Sequence, residues 1–182
     1  MTLRLRLPAL LIALGLATAS GTAQTRARIR VALPAFGAQI VLDTIGEVQV
    51  VPAPTGKVFT AATMVLQNYK IPTDISDSAS GLLGAVKLMR SRNVAGSALS
   101  RYLECGSGMT GLRADTHRIQ MPLLLMLDPD ATGGTRLRIA LIASAQDNSG
   151  TSNQPVPCGS TGALENQLRK AISEQLQHLP AQ

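Results

Sequence analysis

Two cysteines, Cys105 and Cys158, are the residues of this sequence best suited to covalent chemistry, and both sit in Cys-Gly-Ser triplets, Cys105-Gly106-Ser107 and Cys158-Gly159-Ser160. An even count suits pairing where a chain is oxidised, and glycine after each cysteine lets the backbone turn away sharply. A bond between them would close a loop of ~50 residues and stabilise the fold by roughly 4 kcal/mol in the chain-entropy picture. The alternative is two free thiols, one of them nucleophilic. No Cys-x-x-Cys spacing is present, which argues against a redox-active dithiol.

Acid–base chemistry has little to work with. The two histidines are His117 and His178. His178 falls near the end of an expected C-terminal helix, where an imidazole favours the helix dipole. His117 falls on an expected strand two residues after Asp115, and Ser107 could complete a hydrolytic triad if the fold brought the three together. No Gly-x-Ser-x-Gly elbow supports that reading, and a strand histidine without a catalytic role is the expectation. No His, Cys or carboxylate cluster has metal-ligand spacing. Asp128-Pro129-Asp130 reads as turn chemistry and lacks the further ligands of a calcium loop. Gly106-Ser107-Gly108 is too short for a phosphate loop. No cofactor is expected. Arg101, Tyr102 and Glu104, beside the proposed disulfide, form a candidate recognition patch. The plainer reading pairs Arg101 with Glu104 along a short helix and packs Tyr102 against the adjoining loop.

The start of the chain sets the expected compartment. Arg4 and Arg6 precede an apolar run at 7–17, followed by small residues at signal-peptidase spacing. Residues 1–19 therefore read as a cleavable leader, with cleavage as late as 23 the second option. The run is shorter than the ~20 residues of a comfortable membrane span; an uncleaved anchor is the alternative. The product is expected to be exported, periplasmic or secreted, with no transmembrane span after cleavage. The net charge of +6 falls with the loss of Arg4 and Arg6 but stays mildly basic, which could favour an anionic surface. Aromatic residues are confined to Phe36, Phe59, Tyr69 and Tyr102. That scarcity argues against nucleic acid, whose single strands need stacking platforms.

The elements that would position these residues follow from periodicity. Residues 24–37 read as a basic lead-in, an edge strand or disordered, and 38–182 as one domain. Two short strands at 38–42 and 47–51 flank Thr44-Ile45-Gly46 as a hairpin. Thr55 opens a helix with Val58, Ala62, Val65, Leu66 and Tyr69 on one face, stopped by Pro72. An edge strand is expected at 71–76, a strand at 82–93, a short helix at 97–104, and a long hairpin with arms 113–127 and 135–146. Residues 147–157 read as a polar loop. A final helix at 161–179 carries a stripe of Leu164, Leu168, Ala171, Ile172, Leu176 and Leu179. The expected fold is α+β: a two-layer sandwich, its meandering, mainly antiparallel sheet bearing both long helices on one face.

The stretch Leu99-Ser100-Arg101-Tyr102-Leu103-Glu104-Cys105-Gly106, with Met109-Thr110-Gly111 and Cys158-Gly159-Ser160-Thr161-Gly162, resembles a group of uncharacterised exported bacterial proteins; residues 58–72 look similar too. The resemblance implies an α+β domain with a disulfide and implies no activity. The element order is also similar to domains of outer-membrane assembly lipoproteins and to helix-grip ligand carriers, a likeness of fold alone.

The leading expectation is a non-enzymatic envelope or secreted module that binds a protein or another envelope component. A carrier of a small apolar ligand or lipid is the alternative, since a long helix over a leucine-rich sheet with few bulky aromatics could leave a cavity. A hydrolase using Ser107 and His117 is third.

Overall fold

The computed structural model describes residues 28–147 and 154–180. The expected leader and its cleavage sites, and 148–153 of the polar loop, lie outside the described residues. In chain order the strands are β1 (Arg30–Val31), β2 (Ile40–Val41), β3 (Val48–Val51), β4 (Ile75–Asp77), β5 (Leu82–Ala85), β6 (Met89–Ser91), β7 (Asn93–Val94), β8 (Ser97–Ala98), β9 (Leu103–Glu104), β10 (Ser107–Gly108), β11 (Gly111–Leu112), β12 (Arg118–Gln120), β13 (Leu123–Pro129), β14 (Thr135–Leu141), β15 (Ala143–Gln146) and β16 (Val156–Ser160). The helices are α1 (Thr55–Asn68), the single turn α2 (Arg113–Thr116) and α3 (Ala163–His178).

The long hairpin organises everything else. β12 and β13 face β15 and β14 in one unbroken register, from Arg118↔Gln146 to Pro129↔Thr135. The ladder is interrupted only near Pro122, which has no N–H to give; its carbonyl accepts from Ile142 N at 3.3 Å. Around one half the strand order is β3-β14-β13-β5-β4, and around the other β6-β12-β15-β16-β9, with all pairings antiparallel. The fold is α+β, as expected.

Alternation along the hairpin arms sorts the core. Ile119, Met121, Leu123, Leu125 and Leu127 join Leu137, Ile139, Leu141, Ala143 and Ala145 on one face, in the same buried cluster as the stripes of α1 and α3. The two helices pack on each other and on β13, β5 and β14, so both lie on one side of the sheet. On the opposite face Leu124, Met126 and Ala140 join Leu82 around the fully buried Leu42, with Ile29, Val31 and Ile45 packed against them.

That second cluster corrects the N-terminal reading. No hairpin joins 38–42 to 47–51: β2 pairs with β1 and β3 pairs with β14. An apolar sheet face left open to water must be covered, and residues 29–45 cover it. The lead-in thus forms an edge strand at Arg30–Val31 that belongs to the fold rather than preceding it.

Four further elements differ from expectation. The strand over 82–93 is broken by a bulge, because three residues, 86–88, lie opposite Met121 and Pro122. The bulge reverses the alternation, sending Val86 to the Leu42 cluster and Leu88 to the helix-side core. The expected helix at 97–104 is a 3-10 turn, Leu99–Arg101, between β8 and β9. The first arm of the hairpin starts at Arg118, and Arg113–Thr116 is a helical turn. The edge strand placed at 71–76 occupies Ile75–Asp77. Helix α1 closes instead with Lys70 at φ +54° and Ile71 N bonded to Leu66 O at 2.9 Å, a C-terminal cap in which the left-handed residue turns the chain aside.

Candidate functional site

The cysteine corner is where the sequence placed its candidate residues. Gly159 lies opposite Glu104 and Ser160 opposite Leu103, so the β9/β16 register carries Cys105 opposite Cys158. The two are bonded, with Cα atoms 4.3 Å apart, and both are buried. The bridge fastens the two-residue strand β9 to the sheet through β16.

The chain just before the bridge is held by α3 and its lead-in. Thr161 N donates to Tyr102 O at 3.0 Å, Thr161 Oγ1 to Arg101 O at 2.9 Å, and Tyr102 Oη to Gln167 Oε1 at 2.6 Å. Tyr102 is fully buried. It fills the core between the 3-10 turn and α3 and presents nothing to a partner. Arg101 and Glu104 are exposed. The local ion pair expected of them is absent among the described residues, because the helix that would have set them one turn apart does not form.

After Cys105 the chain leaves the body of the fold. Gly106 turns at φ +70°, β10 and β11 pair as a minimal hairpin, and Arg113 N closes its base by donating to Gly106 O at 3.0 Å. Met109 at the tip is fully exposed, and Leu112 is 51 % exposed. Between the base of the hairpin and the bridge lies a depression of about 210 Å³ lined by Ser100, Leu103, Glu104, Cys105, Leu112 and Ala114. Two apolar side chains thus project from the protein, with Arg101 and Glu104 on the chain that leads to the bridge. Sequence reasoning met Met109 only within a motif of resemblance, gave it no role, and passed over Leu112. The signal was there in Gly108-Met109-Thr110-Gly111: a large apolar residue set among turn formers has no core to enter.

The triad residues do not assemble. Asp115 Oδ1 accepts from Ser100 N at 2.9 Å, His117 Nδ1 lies 3.0 Å from Thr116 Oγ1, and Ser107 is exposed on β10. No hydrogen bond joins any two of the three among the described residues. His178 is exposed at the end of α3. Asp130 is committed to its turn, accepting from Thr132 Oγ1 at 2.6 Å and Thr132 N at 3.1 Å. Those bonds, the hydroxyl's first, hold its carboxyl below the usual value. Among the described residues no three His, Cys, Asp or Glu side chains converge as a metal site, and no helix is long and apolar enough to cross a membrane.

No protein-family model matches the chain, and no curated protein matches it at a significant level.

Proposed function

We propose that this protein is a non-enzymatic, exported binding module and that the cysteine corner is its protein-contact surface. The observation that carries this is the hairpin 107–112, which holds a fully exposed methionine clear of the fold on a base fixed by the Cys105–Cys158 bond. A fold gains nothing from an apolar tip in water, whereas an apolar anchor with polar neighbours is the usual anatomy of a contact surface. Methionine also adapts to the shape of what it meets. In this reading Met109 and Leu112 are the anchors, Arg101 and Glu104 supply the polar edge, and the bridge keeps the hairpin from collapsing onto the surface.

The carrier reading draws less support. The space between helices and sheet is filled by Leu123, Leu125, Leu137 and Ile139, all fully buried. A groove of about 320 Å³ lies between the start of α1 and the second half of α3, lined by Val51, Pro52, Ala53 and Leu176 together with the polar Lys57, Ser173 and Gln177.

The test is a photocrosslinking residue at position 109 in the protein expressed with its leader in a bacterial envelope. One discrete protein adduct is expected, absent when the crosslinker sits at the exposed Ser78. Identical adducts from both positions, or none from 109, would sink the reading.

A further inference from the structure

The open edge at β6 gathers cations. Arg90 and Arg92 lie on and just beyond this strand, Lys87 lies in the bulge before it, and Arg118 is on the neighbouring β12 opposite Ser91. Arg118 Nη2 reaches Met89 Sδ at 3.4 Å. Arg90 joins Lys70 to the group, donating through Nη2 to Lys70 O at 2.7 Å and through Nη1 to Met89 O at 3.1 Å. Two carboxylates lie nearby: Asp74, which accepts from the Val86 and Lys87 N–H groups at 2.8 Å each, and Asp147, next to Gln146, the register partner of Arg118. Elsewhere among the described residues cations and carboxylates are close to balanced, so the positive excess of the described residues is concentrated at this edge. At its centre Met89 is 41 % exposed.

We propose that this edge binds the anionic headgroup surface of a phospholipid bilayer, with Lys70, Lys87, Arg92 and Arg118 meeting phosphates and Met89 reaching the interface between them. Three observations select this occupant. The guanidinium of Arg90 already holds the outward carbonyl of Met89, so a peptide strand added at this three-residue edge would compete for one of its few acceptors. The one aromatic residue beside these cations, Tyr69 before Lys70, packs half-buried against the core on the side of α3, so a single-stranded nucleic acid finds no open platform to stack on. An exposed apolar side chain with Lys and Arg to either side of it along a sheet edge suits interfacial attachment to anionic lipid. The surface is separate from the hairpin 107–112, and neither role requires the other.

The experiment is sedimentation of the purified protein with vesicles of phosphatidylcholine alone and of phosphatidylcholine with phosphatidylglycerol, at low and at physiological salt. The protein should partition onto the anionic vesicles, leave the neutral ones, and detach as salt rises, since the cations are exposed. Lys87→Glu with Arg92→Glu should lower the partition coefficient at least tenfold. Lys57→Glu with Lys170→Glu, which change net charge equally, should lower it less than threefold. Met89→Ser should weaken binding severalfold with no change in charge. If the acidic double variant fails to fold by circular dichroism, Lys87→Gln with Arg92→Gln replaces it, with a smaller loss expected. Equal loss in both double variants, no preference for anionic vesicles, or binding of a heparin or single-stranded DNA probe without vesicle binding would each overturn the proposal.

Discussion

At the scale of single residues, several polar side chains among the described residues shape backbone. Asp74 shows it best. Its own N–H donates to Gly84 O at 2.9 Å, while its two carboxylate oxygens take the N–H groups of Val86 and Lys87. Those are the donors that a bulge removes from the ladder, and a charged acceptor makes the stronger kind of hydrogen bond for them. Asp74→Ala should therefore lower stability by about 1–2 kcal/mol, near the low end for charged bonds because water reaches the site. Asp74→Asn should retain roughly half of that contribution, since one amide oxygen can still accept. Urea unfolding of the three proteins checks both values, and an alanine variant as stable as the parent would mean that water serves the bulge donors equally well. The same economy explains why neither Asp115 nor Asp130 is available for chemistry: one carboxylate holds the 3-10 turn and the other holds the hairpin turn.

At the scale of elements, Gly46 marks the place where the N-terminal cover passes into β3. It lies at φ +89°, and a Cβ built there would come 2.1 Å from the carbonyl oxygen of Ile139 on β14. Gly46→Ala adds left-handed strain to a backbone clash, so it should cost more than about 2 kcal/mol. Thermal unfolding of that variant beside Gly37→Ala, where an added Cβ meets nothing, separates the clash from a general loss of glycine; equal melting temperatures would remove Gly46 from this role. The position was legible as a turn from Thr44-Ile45-Gly46, but its meaning was not. Local pattern suggested that the two flanking strands pair with each other. The need to cover Leu124, Met126 and Ala140 sends the first to β1, while the second extends the sheet at the edge of β14. Both long helices and the hairpin could be read because their apolar residues recur at one period over many positions. The bulge at 86–88 could not, since one extra residue reverses the alternation without changing composition. Of the corner, the cysteine pair was legible from its count and context. The fate of Tyr102 was not, because two-residue strands and a 3-10 turn leave no periodic trace to show which side chain turns inward.

At the scale of the molecule, the helix-backed half of the sheet and the cysteine corner should differ in how readily they open. Leu123, Leu125, Leu137 and Ile139 sit between two helices and a covered sheet face, so their strands separate only when the protein unfolds as a whole. β9 contributes two residues to its ladder and depends on the bridge and on the Thr161 and Tyr102 bonds for its position. Cys105 and Cys158 are 53 residues apart in sequence, so removing their bond frees a long loop in the unfolded chain. Global stability should then fall by about 2–4 kcal/mol. Cys105→Ser with Cys158→Ser, compared with the parent by hydrogen exchange, resolves where the loss is felt. Amides of β9 and of the hairpin 107–112 should exchange fastest and well before global unfolding, while those of β13 and β14 exchange only with it. Photocrosslinking from position 109 should weaken in parallel, because a hairpin on a loosened base no longer presents Met109 in one place. A uniform rise in exchange across corner and core, with crosslinking unchanged, would show that the bridge stabilises the fold without organising the surface. Two reactive thiols in the parent protein, denatured without reductant, would show that the bond does not form.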